Sequence, residues 1–334
     1  MGVWRIGADV LARGRFTLSP LAETIGALEA LHWGTPRPGR ETWLRDHRPA
    51  YRARLDADPV EALLVWAALR PRWMADFIGA PPEESDRSFR DELERVRRTP
   101  PEVAEADLAA GLGHPVPAEL RRPDLPERAA ALLEWVWTAT VRPEWPRLRR
   151  VLEADIVART QALSSGGWAA ALAGLRPGMR WLGDGRLQVN AYDNPPRDIA
   201  DDARLTFIPV SAAHGWVCWD LPHRYGIVYP CAGLLADAPE SAPPQALSRL
   251  LGPVRATVLC RLTTPMSTTQ LVALTGYGLG SVGGHLKVLL DARLVQRRRS
   301  GRSVLYYRTS LGDRLAAPET AVRGDPAEAA RDHA

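Results

Sequence analysis

Apolar positions recur at helical spacing through the first half of the chain. Between Ser19 and Trp33, the residues Leu21, Ile25, Leu28 and Leu31 fall three or four apart and so share one helix face. Ser19 stands at the N-cap position and Pro20 follows at the first helical position. DPVEALLVWAALR predicts a second helix, capped by Asp58 with Pro59 behind it. SDRSFRDELERVRR predicts a third, amphipathic one. PERAAALLEWVWTATVRPEWPRLRRVLEADIVARTQAL supplies one or two more, with a break at RPEWP, because two prolines cannot sit inside one helix.

The period shortens near residue 178. MRWLGDGRLQVN places an Asp-Gly turn between two short β-like runs and predicts a hairpin. RLTFIPV, HGWVCWDLP and YGIVYP predict further strands, interrupted by Pro209, Pro222 and Pro230. LLADAPESAPPQ predicts a linker, and the tail 316–334 lacks apolar periodicity and predicts disorder. An N-terminal regulatory or assembly domain is therefore expected over 1–240, helical to about 175 and β-rich over about 178–235. A second domain is expected over 245–315, which makes the fold class α+β.

In that second domain Val254, Val258, Leu259 and Leu262 mark a helix. Ser267 caps a short helix, TTQLVALT, with Leu271, Val272 and Thr275 inward. GYG is a turn, and LGSVGGHLKVLLDA is a helix with Val282, Leu286 and Leu289 inward. RLVQRRRSGRSVLYYRT places two β-rich arms around Ser300-Gly301 and reads as an antiparallel hairpin. The order is that of a winged helix-turn-helix, which inserts its second helix in the major groove.

Charge supports this division. The overall net charge is +4, but residues 249–314 hold eleven basic side chains against Asp291 and Asp313, a net of +9, leaving −5 elsewhere. A basic module on an acidic body is the footprint of a polyanion binder. Length, 46% apolar and 25% charged composition fit an ordinary globular chain of two domains. No apolar run is long enough for a membrane helix and MGVWRIGADVLARGRF lacks the apolar core of a signal peptide, so a cytoplasmic protein without membrane partners is expected. Three scattered cysteines predict no disulfide framework.

Gly278, Gly280 and Gly283 match the G-x-G-x-x-G of dinucleotide-binding loops. Such a fold needs further βα units, a parallel crossover and an acidic residue for the ribose. Only about 50 residues follow Gly283, an antiparallel hairpin comes next, and arginines stand where the acid belongs. No cofactor is assigned.

The stretch from Leu250 to Leu315 resembles the winged helix of ArsR/SmtB-type bacterial transcription regulators, through STTQLVAL, V-x-x-HLKVLLDA-x-LV and RRRSGRSVLYYRT. FTLSPLAETIGALEAL, LTFIPVSAAHGWVCWDLP and GIVYPCAGL resemble the N-terminal part of long regulators of this kind. The resemblance implies a homodimeric repressor that binds double-stranded DNA at the nucleoid, with a small-molecule effector as a further candidate partner. By position it implies DNA contacts at Thr268, Thr269, Gly280, Ser281, Gly284, His285, Lys287, Arg297, Arg298, Arg299 and Arg302. The chain departs from the family pattern at Gly278, usually Ser; at Leu279, often Pro; and at Arg293, usually the glycine that ends the helix. Two rival readings are a winged helix that binds protein and an enzyme domain with a DNA-binding appendage.

The cysteine pair of metal-sensing relatives is missing from STTQLVALT, and Cys260 is expected in the core. His214, Cys218, His223 and Cys231 suggest zinc, but residues four apart on a strand are about 13 Å apart, too far to share an ion with ligand bonds of about 2.0–2.3 Å. No metal site is assigned. Trp66, Trp73, Trp135, Trp137, Trp216 and Trp219 are expected either in the core or around an aromatic ligand. No acid-base dyad, nucleophile elbow or phosphate loop stands out, so the chain is not read as an enzyme.

Overall fold

The computed structural model describes residues 2–192, 194–231, 243–262, 266–300 and 303–316. The expected linker, most of it within 232–242, the tail beyond residue 316 and Arg302 lie outside the described residues. The chain forms two compact units, Met1–Pro239 and Glu240–Ala334.

The first unit begins with strand β1 (Val3–Arg5), helix α1 (Ala8–Ala12) and strand β2 (Arg15–Phe16). Helices α2 (Pro20–Trp33), α3 (Glu41–Ala57) and α4 (Pro59–Ala68) follow. A small hairpin, β3 (Leu69–Arg70) and β4 (Trp73–Met74), leads into α5 (Asp76–Gly79), α6 (Phe89–Arg98), α7 (Pro101–Leu112) and α8 (Leu125–Val136). One π-helical turn, Trp137–Val141, separates α8 from α9 (Trp145–Leu172), which breaks at Gly167. Then come β5 (Arg180–Gly183), β6 (Arg186–Gln188), β7 (Arg197–Asp198), β8 (Arg204–Val210), β9 (Val217–Asp220) and β10 (Arg224–Pro230).

Side-chain caps set the helix starts. Ser19 accepts the Ala22 N–H, Asp58 accepts those of Val60 and Glu61, and Ser88 accepts that of Asp91. Leu21, Ile25, Leu28 and Leu31 face a core shared with Leu64, Leu93, Leu108 and Leu133. The buried Glu23 carboxylate accepts the backbone N–H and hydroxyl of Ser211, which ties α2 to the end of β8.

The expected hairpin forms as β5 and β6, with Asp184 and Gly185 both at positive φ, as a two-residue turn requires. Two features were not legible in the pattern. The short β1 and β2 join the late strands, in the sheet orders β5-β6-β1-β7 and β2-β8-β10-β9. The strands β8 and β10 pair in parallel and are buried almost throughout, as the inner strands of a covered sheet are. Pro209 does not interrupt β8: Thr17 N–H reaches Phe207 O, so Pro209 lacks its N–H on the side where β2 has already ended.

The second unit comprises α10 (Gln245–Leu251), α11 (Pro253–Arg261), β11 (Met266–Ser267), α12 (Thr268–Thr275), α13 (Leu279–Asp291), β12 (Val295–Ser300), β13 (Ser303–Arg308) and α14 (Ser310–Ala316). Its strands form one antiparallel sheet in the order β11-β13-β12. Val258, Leu259, Leu262, Leu271, Val282, Leu286 and Leu289 are buried. Cys260, expected in the core, is half-buried instead. The fold class is α+β, and among the described residues no helix is long and apolar enough to cross a membrane.

Candidate nucleic-acid interface

Local sequence fixes the ends of α12 and α13. Ser267 Oγ accepts the Gln270 N–H at 3.2 Å, while Gln270 Oε1 accepts the Ser267 N–H at 2.7 Å, a reciprocal capping box. Ser267 also pairs with Leu305 of β13, so the start of α12 is held to the hairpin. Gly276 ends α12 in the left-handed region, and Gly278 begins α13 without a side-chain cap.

The helix α13 ends in a Schellman arrangement built on an arginine. Leu294 N–H reaches Leu289 O and Arg293 N–H reaches Leu290 O, both at 2.9 Å, with Arg293 at φ 56°. The Thr309 hydroxyl donates to Arg293 O at 2.8 Å and ties this turn to the end of β13. Gly312 lies so close to Leu294 O that a Cβ there would stand 2.1 Å from it.

Val282, Leu286 and Leu289 turn one face of α13 inward. Gly280, Ser281, Gly284 and Lys287 are all exposed. At 100° per residue, Gly280, Gly284 and Lys287 fall within an arc of about 60°, opposite the buried face. A Cβ added at Gly280, Gly283 or Gly284 would meet no atom within 4 Å. The backbone of α13 is thus bare along its outer side over its first two turns. His285 is half-buried and lies beside the inward face of α13, about 40° around the helix from Leu289, and Thr268 and Thr269 are half-buried at the start of α12.

Arg297, Arg298 and Arg299 follow one another along β12 and are exposed. Alternation along the strand puts Arg297 and Arg299 on one side of the hairpin and Arg298 on the other. Among the described residues, neither these three nor Lys287 forms an ion pair, whereas Arg308 pairs with Asp313 at 2.8 Å. The arginines of the first unit are widely engaged: Arg40 with Glu144, Arg54 with Glu61, and Arg97 with Glu127 and Glu134.

The suggested zinc ligands do not converge. His214 pairs with Glu29 and His223 with Asp202, while Cys218 and Cys231 are each buried in the first unit. Among the described residues no group of three or more His, Cys, Asp or Glu side chains could hold a metal ion.

The tryptophans divide between two settings. Trp137 stacks on Phe89 with ring centroids 4.5 Å apart, Trp135 lies under Arg54, and the exposed Trp66 lies under Arg70. Trp73, Trp216 and Trp219 instead wall a cavity in the first unit. Arg72, Arg176 and Arg197 of the same wall were missed in the sequence. They are 125 positions apart from first to last, and no local pattern joins them.

The chain matches no protein-family profile, no curated protein and no solved structure.

Proposed function

We propose that the second unit is a winged helix-turn-helix that binds double-stranded DNA, and that the chain is a homodimeric transcription regulator. The observation that carries this reading is the row Arg297-Arg298-Arg299, exposed beside α13 and without carboxylate partners among the described residues. Charge that is not neutralised within the protein is free for phosphates, and released counterions drive such binding. The helix α13, bare on its outer face over the first two turns, suits close approach to base edges in the major groove, with Ser281 as donor or acceptor. Thr268 and Thr269 at the start of α12 and His285 on the flank of α13 are further candidate contacts, and the hairpin lies along the backbone. The first unit serves regulation or assembly, and the chain acts at the nucleoid without catalysis of its own.

Titration of the full chain with random-sequence duplex DNA tests this at several salt concentrations. Binding at low salt, with log affinity falling linearly against log salt, is expected. No binding at low salt overturns the reading and favours a winged helix that binds protein. On its operator, two half-sites in inverted repeat about one helical turn apart, or a multiple, are expected.

A further inference from the structure

The tryptophan-walled cavity in the first unit measures about 580 Å³, within the range of small-molecule sites. It is walled by α2, the β3–β4 hairpin, the segments after α9 and β6, and the approach to β9. Two large aromatic side chains stay open on its wall, Trp33 at 42% and Tyr192 at 40% exposure. Trp73, Trp216 and Trp219 add further ring surface. The buried Trp216 Nε1–H has no hydrogen-bond partner among the described residues.

The polar side of the wall is cationic. Of its two carboxylates among the described residues, Asp76 accepts the Trp219 Nε1–H at 2.6 Å, and Glu29 lies 3.3 Å from His214 Nε2, an ion pair when that imidazole is protonated. Arg72 lies over the Tyr192 ring and Arg197 over the Trp219 ring, and neither pairs with a carboxylate among the described residues. Among the described residues Arg176 has its Nη1 buried and unpartnered, and burial pulls its guanidinium below the ordinary arginine value. Arg72 holds φ 68° directly after Pro71, the position of a Pro-turn that favours glycine. Backbone strain of this kind clusters at ligand-binding sites.

We propose that this cavity binds a small planar aromatic acid, its ring against the tryptophan walls and its carboxylate on the guanidinium of Arg176, with Arg72 and Arg197 beside it. A guanidinium matches a carboxylate in a planar, two-bond geometry, and the flanking rings supply stacking area. The further role of this site as the effector site rests on the DNA-binding reading; the binding itself does not.

Calorimetric titration of the full chain with 2-naphthoate, 2-naphthamide and cyclohexanecarboxylate tests the proposal. Saturable binding of 2-naphthoate is expected, with each of the other two at least tenfold weaker, because one lacks the charge and the other the ring. Arg176→Gln and the exposed-site variants Arg72→Ala and Trp33→Ala are each expected to weaken 2-naphthoate at least fivefold. The two exposed-site variants should keep the wild-type melting temperature, so the test stands even if Arg176→Gln fails to fold. Absence of saturable 2-naphthoate binding, equal affinity for the amide, or undiminished binding in both exposed-site variants overturns the proposal. A separate titration of duplex DNA with 2-naphthoate present is expected to shift DNA affinity at least threefold. Intact ligand binding without that shift overturns the effector role alone, and a chain that binds no DNA while binding 2-naphthoate overturns the DNA-binding reading alone.

Discussion

Trp219 donates its indole N–H to Asp76 across 2.6 Å, from β9 to the first residue of α5. Burial, with Asp107 close by, pushes the Asp76 carboxyl up to about 7 despite that hydrogen bond. The folded protein therefore keeps a proton that the unfolded chain releases near the ordinary carboxylate value. The linked stability is fully present below that value and is lost as pH rises towards 7. The loss approaches about 1.4 kcal/mol per pH unit inside the window for one extra proton. Asp76→Asn should flatten this part of the profile and be more stable than the wild type at pH 8, relative to pH 4. Denaturant midpoints across pH 4–8 check it; an unchanged slope would place Asp76 in water.

Glu92 extends the same dependence. It is buried, receives the Ser19 hydroxyl, and is pushed up to about 8 by burial. Its contribution likewise falls as pH rises, through a window that reaches about 8. Glu92→Gln should preserve the fold and reduce the slope between pH 7 and 8, measured by the same midpoints.

Arg293→Gly should stabilise the second unit. A non-glycine residue in the left-handed region costs roughly 1–2 kcal/mol, partly offset by the flexibility glycine adds to the unfolded chain. A net gain of about 1 kcal/mol is expected, with Arg293→Ala near neutral. Hydrogen exchange of α13 amides in the full chain would report it; a loss of protection in the glycine variant would contradict it.

The glycines of α13 separate helix strength from groove fit. Gly284→Ala meets no steric obstacle within the protein and should gain up to about 1 kcal/mol of helix propensity. If that face enters the groove, operator affinity should nevertheless fall at least fivefold. Full affinity in a more stable Gly284→Ala protein would remove Gly284 from the interface.

The hairpin arginines should act without regard to sequence. Arg297→Ala combined with Arg299→Ala should weaken all duplexes about equally and lower the salt slope by roughly 0.9 for each phosphate no longer neutralised. An unchanged slope would show that the hairpin does not touch the backbone.

Features that depend on neighbours within a turn or two were legible in the order of residues. Helical spacing marked Leu21 to Leu31 and Val282 to Leu289 as inward faces, and Ser19, Asp58 and Ser267 marked the starts of their helices. Asp184-Gly185 marked its turn because positive φ is a property of the residues themselves. The left-handed turn at Arg293 was legible only as a departure from a pattern; whether the chain would tolerate it depended on the two backbone bonds and the Thr309 hydroxyl that hold it. Tertiary structure alone decided the rest. The strands β1 and β2 are too short to carry a period, and exist because Trp4 meets Leu187 and Arg15 meets Thr206 far along the chain. The cavity is of the same kind: Trp33, Arg72, Arg176 and Trp219 each look like an ordinary surface or core residue in their own segment. Hydrophobic period and capping act over a few bonds, whereas strand pairing and the convergence of charges act through space, and one sequence without its fold holds no record of which distant segments meet.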